Sequence, residues 1–95
     1  MAIVKLLDIS LEHITTETND KLVELDRDGA IYVVPHYYGF FVYVADYVEP
    51  ETPDDLKAVF EFARDKGCGW IKFDCDGEKY DQLPVYQWKP EDWKW

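Results

Sequence analysis

Two strand-like segments in the middle of the chain are separated by the short segment HYYG (36–39). Residues 30–37 and 40–46 are rich in β-branched and aromatic side chains, which favour extended structure. Gly39 lies where a tight turn needs a glycine, so the two segments are predicted to form an antiparallel hairpin. Pro35 near the end of the first segment fits an edge strand, because proline has no backbone N–H to donate.

A helical pattern precedes this hairpin. Thr15 or Thr16 is predicted to be the N-cap of the first helix, since a threonine hydroxyl accepts a hydrogen bond from the first turn. The helix is predicted to end at Gly29, because glycine readily adopts the left-handed conformation that ends helices. Helical spacing turns three side chains towards the sheet: Thr18, Leu22 and Leu25.

A second helical pattern follows the hairpin. Thr52 is predicted to be its N-cap and Pro53 its first residue, with Asp54 and Asp55 in the first turn, where the helix dipole favours negative charge. The helix is predicted to run to Lys66, and a glycine follows at once. Its apolar stripe has helical spacing: Leu56, Val59, Phe60 and Ala63.

The remaining strands are predicted at residues 2–9 and 69–74, which makes the order of elements β-α-β-β-α-β. This order predicts one domain, residues 1–95, with an α+β, ferredoxin-like fold. Its sheet would have four antiparallel strands, with the first and third strands in the centre and both helices on one face. Residues from about 80 to 95 lack periodicity and are predicted to form an irregular C-terminal tail.

Aromatic side chains are predicted on the sheet face away from the helices. The expected residues are Tyr32, Phe41, Tyr43 and Trp70, with Lys5 and Lys72 beside them. An RNA-recognition fold stacks bases on such a face, but it carries a basic-aromatic segment that this chain lacks. We therefore expect the tail to cover this face through Tyr86 and Trp88, or the face to bind a protein.

The charge of the chain restricts its partners. Twenty acidic residues against ten basic ones give a net charge of −10, which disfavours direct contact with nucleic acid and favours a basic partner protein. No apolar run approaches the about 20 residues that span a bilayer, and the N-terminus lacks the pattern of a signal peptide. We expect a cytoplasmic protein with no membrane contact.

Carboxylates form a row along each predicted helix. Successive row members lie three, four or seven residues apart, so each row stays within an arc of roughly 80° or less at about 100° per residue. The distance between carboxylates four residues apart on a helix is close to that between successive phosphates along a nucleic-acid strand. An ordinary solvated helix surface is the alternative interpretation. The predicted partner-binding residues are the two rows and two loop residues: Glu17, Asp20, Glu24 and Asp28; Asp54, Glu61 and Asp65; Glu49 and Glu51.

Catalytic and metal-binding motifs are not found. The segment DCDG (74–77) starts like a calcium loop but lacks the glycine and glutamate that such a loop needs at its sixth and twelfth positions, and DRDG (26–29) fails as well. Both are predicted to be polar turns. Cys–His or zinc chemistry would have to use residues with no local signature: Cys68, Cys75, His13 and His36. We therefore predict no enzyme activity, no metal and no cofactor.

Three segments carry a resemblance: HIT…ND (13–20), YGFFVYV (38–44) and GCGWIKFDCDG…LPVYQW (67–88). They resemble a family of small, uncharacterised bacterial proteins carried by plasmids, phages and integrative elements. The most specific part is Gly-Cys-x-Trp-x-x-Phe-Asp, closed by Leu-Pro-x-Tyr-x-Trp. The resemblance implies no catalytic residues, but it implies a context in which anti-restriction and anti-CRISPR proteins occur.

Two hypotheses follow. The first is a non-enzymatic inhibitor of a CRISPR–Cas or restriction system, whose acidic rows occupy the basic groove of a Cas effector or restriction subunit in place of phosphates. The second is a protein–protein adaptor that binds through the aromatic sheet face or the Trp-rich C-terminal tail.

Overall fold

The computed structural model describes residues 3–27, 31–44, 50 and 52–89. Two helices, four strands and a single turn of 3₁₀-helix follow one another along this part of the chain. Their bounds, in chain order, are β1 (Lys5–Ser10), the 3₁₀ turn (Leu11–His13), α1 (Thr16–Arg27), β2 (Val33–His36), β3 (Gly39–Tyr43), α2 (Asp54–Asp65) and β4 (Cys68–Asp74).

The four strands form one mixed sheet in the order β1-β4-β3-β2. β4 is antiparallel to β3 and parallel to β1, and β2 is antiparallel to β3. The prediction of a purely antiparallel sheet is therefore wrong, as is the placement of the first strand in the centre. The physical reason lies at the outer edge of β1. The chain after β4 returns along that edge, where the Ser10 N–H donates to the Glu78 carbonyl (2.9 Å) and the Tyr80 hydroxyl to the Asp8 carbonyl (2.9 Å).

The predicted hairpin is confirmed. β2 and β3 pair from Val33↔Val42 to His36↔Gly39, and β2 lies at the sheet edge, as the proline in it required. A side chain at Gly39 would collide with the backbone carbonyl of Phe73 on β4, so the close approach of the two strands needs a glycine.

The start of α1 is capped by Thr15, one of the two predicted residues. The Thr18 N–H donates to Thr15 Oγ1 (3.2 Å). At the other end, Asp26 Oδ1 accepts a hydrogen bond from the Val33 N–H (3.1 Å), which ties α1 to β2. The predicted stop, Gly29, lies outside the described residues.

The start of α2 differs from the prediction. Pro53, not Thr52, is the N-cap, and no side chain caps this end. Thr52 is buried, and its hydroxyl has no hydrogen-bond partner. Asp55 instead joins the two helices, because its carboxylate accepts from the Thr15 N–H (2.7 Å) and the Thr18 hydroxyl (2.7 Å).

The end of α2 and its apolar stripe are confirmed. Gly67 has a φ of 73° and terminates the helix, and the four predicted stripe residues are fully buried. Both helices pack on the same face of the sheet, because their buried side chains join one core with alternate residues of the strands. The strand residues of this core include Leu7, Ile9, Val33, Val42, Ile71 and Phe73.

The tail, as described to residue 89, follows the 3₁₀ turn and the start of α1 and does not lie over the other sheet face. The Tyr86 N–H donates to the Glu12 carbonyl (2.7 Å), and the indole N–H of Trp88 donates to the Ile14 carbonyl (3.0 Å). The prediction that Tyr86 and Trp88 cover the aromatic sheet face is therefore wrong. Ile14 is fully buried in the core and Glu12 is half-buried, and the tail satisfies their carbonyl groups there.

Candidate functional site

The acidic rows lie on the outward faces of the two helices. All of their described members are exposed, whereas Asp28, Glu49 and Glu51 lie outside the described residues. The exposed members are Glu17, Asp20 and Glu24 on α1, and Asp54, Glu61 and Asp65 on α2. A helix surface with this exposure is available to a partner.

Little of this acidic charge is neutralised by nearby cations. Among the described residues, five row members make no ion pair: Glu17, Glu24, Asp54, Glu61 and Asp65. Two lysines close to the helices donate instead to backbone carbonyls, Lys57 to Pro50 (2.9 Å) and Lys5 to Lys66 (2.7 Å). Acidic residues outnumber basic ones two to one on the helices, which is the same ratio as in the whole chain. The helices therefore differ from the rest of the chain in the arrangement of their acidic residues and not in their proportion.

The rows border two open grooves beside the tail. Glu61 and Asp65 line the first, of about 380 Å³, together with Phe62, Lys66 and Leu83. The Lys66 ammonium lies 5.4 Å from the centre of the Phe62 ring, so this ring already accepts a cation of the chain itself. The second groove, of about 440 Å³, lies at the start of α1; its lining includes Glu17, Tyr86 and Trp88.

The opposite side of the molecule is the open sheet face, defined here as Val4, Leu6, Tyr32, Val34, Phe41, Tyr43, Trp70 and Lys72. Its centre is a shallow apolar groove of about 350 Å³. Trp70 makes edge contacts with Tyr32 (ring centres 5.9 Å apart) and with Tyr43 (5.4 Å). Tyr32 is 59% and Val4 57% exposed. Lys5 is not part of this face, because its ammonium caps the last turn of α2.

Both histidines are engaged with backbone groups. His13 is buried; its Nδ1–H donates to the Pro84 carbonyl (2.7 Å), and its Nε2 accepts from the Tyr80 N–H (2.9 Å). His36 bonds the Phe73 carbonyl through Nε2 (3.0 Å) and the Tyr38 N–H through Nδ1 (3.2 Å). Use of either histidine as a metal ligand or a nucleophile would require these hydrogen bonds to break. No sequence signal had marked His13 as a residue that anchors the tail.

Both cysteines are free thiols. Cys68 is buried in the core. Burial, followed by the neighbouring Asp76 and Asp74 carboxylates, raises the pKa of the Cys75 thiol, so at neutral pH it keeps its proton.

The segment DCDG forms the predicted polar turn. The Asp76 N–H donates to Asp74 Oδ1 (2.8 Å), and the Gly77 N–H donates to the Asp74 carbonyl (3.0 Å). The ligand atoms of Asp74, Cys75 and Asp76 lie within 4.8 Å of one another. The other oxygen of Asp74 lies 3.6 Å from the Lys72 ammonium, so a cation would have to compete for both oxygens of this carboxylate.

Comparison with known proteins finds no match among curated proteins and none among solved structures. Within the described residues, no helix has the length and apolar character needed to cross a membrane. A family model does match, over residues 6–88, and its description is the C-terminal domain of a family of unknown function, DUF5983. Since the match covers most of the 95 residues, the chain belongs to the DUF5983 family.

Proposed function

We propose that the protein is a non-enzymatic inhibitor of a nucleic-acid-targeting defence system, either CRISPR–Cas or restriction. It acts by stoichiometric binding, and its acidic rows occupy the basic groove of a Cas effector or restriction subunit. The observation that carries the proposal is the row of exposed carboxylates on each of two helices that share one face of the sheet. Carboxylates at i and i+4, such as Glu61 and Asp65, offer regularly spaced acceptors to lysine and arginine side chains.

Electrostatics also gives the proposal its expected behaviour. A net charge of −10 attracts a basic groove from a distance, so association should be fast at low ionic strength and should weaken with salt. The resemblance to proteins of plasmids, phages and integrative elements supports the same context.

Charge reversal in the first row tests the proposal. Glu17→Lys with Glu24→Lys changes two exposed row residues that make no ion pair, so the fold should be retained. The control, Glu78→Lys with Asp81→Lys, changes two exposed acidic residues of the tail by the same charge. We expect the row variant to lose at least tenfold in protection of a phage or plasmid against the sensitive defence system, and the control to stay within about threefold.

The partner itself is identified by capture from a lysate of cells with an active defence system, washed at rising salt. A Cas or restriction subunit released by salt from the wild type, and not retained by the row variant, supports the proposal. Equal protection by the row variant and the control would exclude the first row as the binding site.

The adaptor hypothesis is favoured by a different observation, the exposure of the open sheet face. An adaptor would be supported by a lysate protein that stays bound at high salt. This protein should be lost when the open sheet face is charged and retained by the row variant. The Trp-rich end of the tail, residues 90–95, lies outside the described residues.

A further inference from the structure

The open sheet face is an apolar surface that no described part of the chain covers. Seven of its eight residues are apolar or aromatic, and the edge contacts of Trp70 with Tyr32 and Tyr43 hold the central ring in place. Monomeric proteins rarely expose contiguous apolar patches larger than a few hundred Å² without a partner. Because four adjacent strands contribute to the patch, it extends across the width of the sheet.

The charge on this face differs from that of the helix side. Lys72 forms an ion pair with Asp74 (3.6 Å), and Asp8 stands next to Lys72 in the register of β1 and β4. One ammonium and two carboxylates give this face a net charge of −1, a small part of the −10 that the chain carries. A basic partner therefore has little reason to bind here, whereas a second, equally acidic copy can approach.

We propose that the open sheet face is a dimer interface, on which two copies stack about a two-fold axis with the acidic rows outward. A broad apolar face with one ammonium and two carboxylates fits a copy of itself, because a two-fold arrangement lets the lysine of each copy face aspartates of the other. Closed two-fold dimers are the commonest oligomers of soluble proteins.

Distances and area set the expected strength. Two stacked sheets lie about 10 Å apart and the helices form a further layer on each side, so the rows of the two copies are separated by more than the Debye length of about 8 Å at 0.15 M salt. Four strands about 4.8 Å apart and about 17 Å long give a planar face of about 300 Å², below the about 800 Å² per partner of standard interfaces. We therefore expect a weak, transient dimer.

Salt should strengthen this dimer, because it screens the repulsion between two copies and leaves apolar contacts intact. Binding of the acidic rows to a basic groove responds in the opposite direction. Failure of the dimer proposal is thus distinguishable from failure of the proposed binding to a basic groove. Charge reversal in the acidic rows should not dissociate the dimer.

The test is sedimentation equilibrium of the full chain from 10 to 300 µM, at 10, 150 and 500 mM NaCl. Val4→Glu charges the open sheet face, and Val23→Glu on α1 is the matched control, since the two valines are 57% and 59% exposed. We expect a dimer that is favoured by salt, weakened at least tenfold by Val4→Glu and less than threefold by Val23→Glu. Thermal unfolding checks that both variants fold.

Three results would overturn the inference. The first is a monomer at 300 µM in both 150 and 500 mM NaCl. The second is a dimer that salt dissociates or that both variants weaken equally, since another surface would then be involved. The third is a different protein captured on this face that the wild type binds in preference to itself.

Discussion

Replacing His13 by alanine is expected to destabilise the fold strongly, because this buried side chain joins the start of the chain to its tail. The imidazole is 1% exposed and makes a hydrogen bond to a backbone group with each ring nitrogen. In the alanine variant the Tyr80 N–H and the Pro84 carbonyl would both lose their partner.

The magnitude follows from these contacts. A buried group left without its hydrogen bond costs about 1–3 kcal/mol, and the lost packing of the ring adds to that. Because the backbone partners are only part-buried and water can reach them, the lower part of the range applies to each, and we expect a loss of about 3–4 kcal/mol. Domains of this length have a total stability of about 5–14 kcal/mol, so the variant should remain folded at low temperature while its melting temperature falls by roughly 12 °C or more.

Urea unfolding followed by circular dichroism measures this loss, and His36→Ala is the matched control. His36 also bonds two backbone groups, but it is half-buried and its bond to Tyr38 is exposed, so water can replace it. We expect His36→Ala to cost about 1 kcal/mol. If the two alanine variants lose the same stability, burial does not set the cost and the reasoning is refuted.

Two further predictions concern the turn after β4 and its neighbourhood. Gly77→Ala should destabilise the protein more than Gly67→Ala in urea unfolding, because a Cβ at Gly77 would collide with the backbone of Ile9, whereas at Gly67 it meets open space and only the left-handed conformation costs about 1–2 kcal/mol. The raised pKa of Cys75, ordinarily 9.0, predicts slow alkylation of this thiol at pH 8, measured by mass spectrometry, and faster alkylation in Asp76→Asn. Since the folded thiol keeps its proton where the unfolded one loses it, its contribution to stability is complete below about pH 9 and is lost as the pH rises further. An unchanged alkylation rate in Asp76→Asn would show that the Asp76 carboxylate has no part in raising the pKa of Cys75.

Local chemistry accounts for the elements that sequence reasoning predicted correctly. The hairpin joins two β-branched segments that are close in the chain, and α2 ends at Gly67, so both signals act within a few residues. Gly39 is the first residue of β3, and the backbone of β4 is what requires a glycine there. Helical spacing likewise identified the buried stripe of α2, because the same side of a helix recurs every three or four residues. The start of α2 was missed because proline and threonine compete for neighbouring positions, and here the Asp55 carboxylate bonds α1 as well as the Leu56 N–H of its own first turn.

The path of the tail was beyond such reasoning. Residues 80–89 have no periodicity, and what holds them is a set of single hydrogen bonds to residues about 70 positions earlier in the chain. His13 and Trp88 therefore have structural roles that no local motif indicates. Residues 80–89 leave the aromatic sheet face uncovered, so its exposure in the described part of the chain was also a tertiary result.

The sequence by itself determined the α+β class, the hairpin, the apolar stripes and the placing of carboxylates on outward helix faces, because each depends on residues close together in the chain. Only the tertiary structure decided that β4 lies between β1 and β3 and parallel to β1, and that the tail protects the outer edge of β1. Strand order depends on which distant segments satisfy one another's backbone groups and bury one another's side chains, and that competition is settled when the whole chain packs.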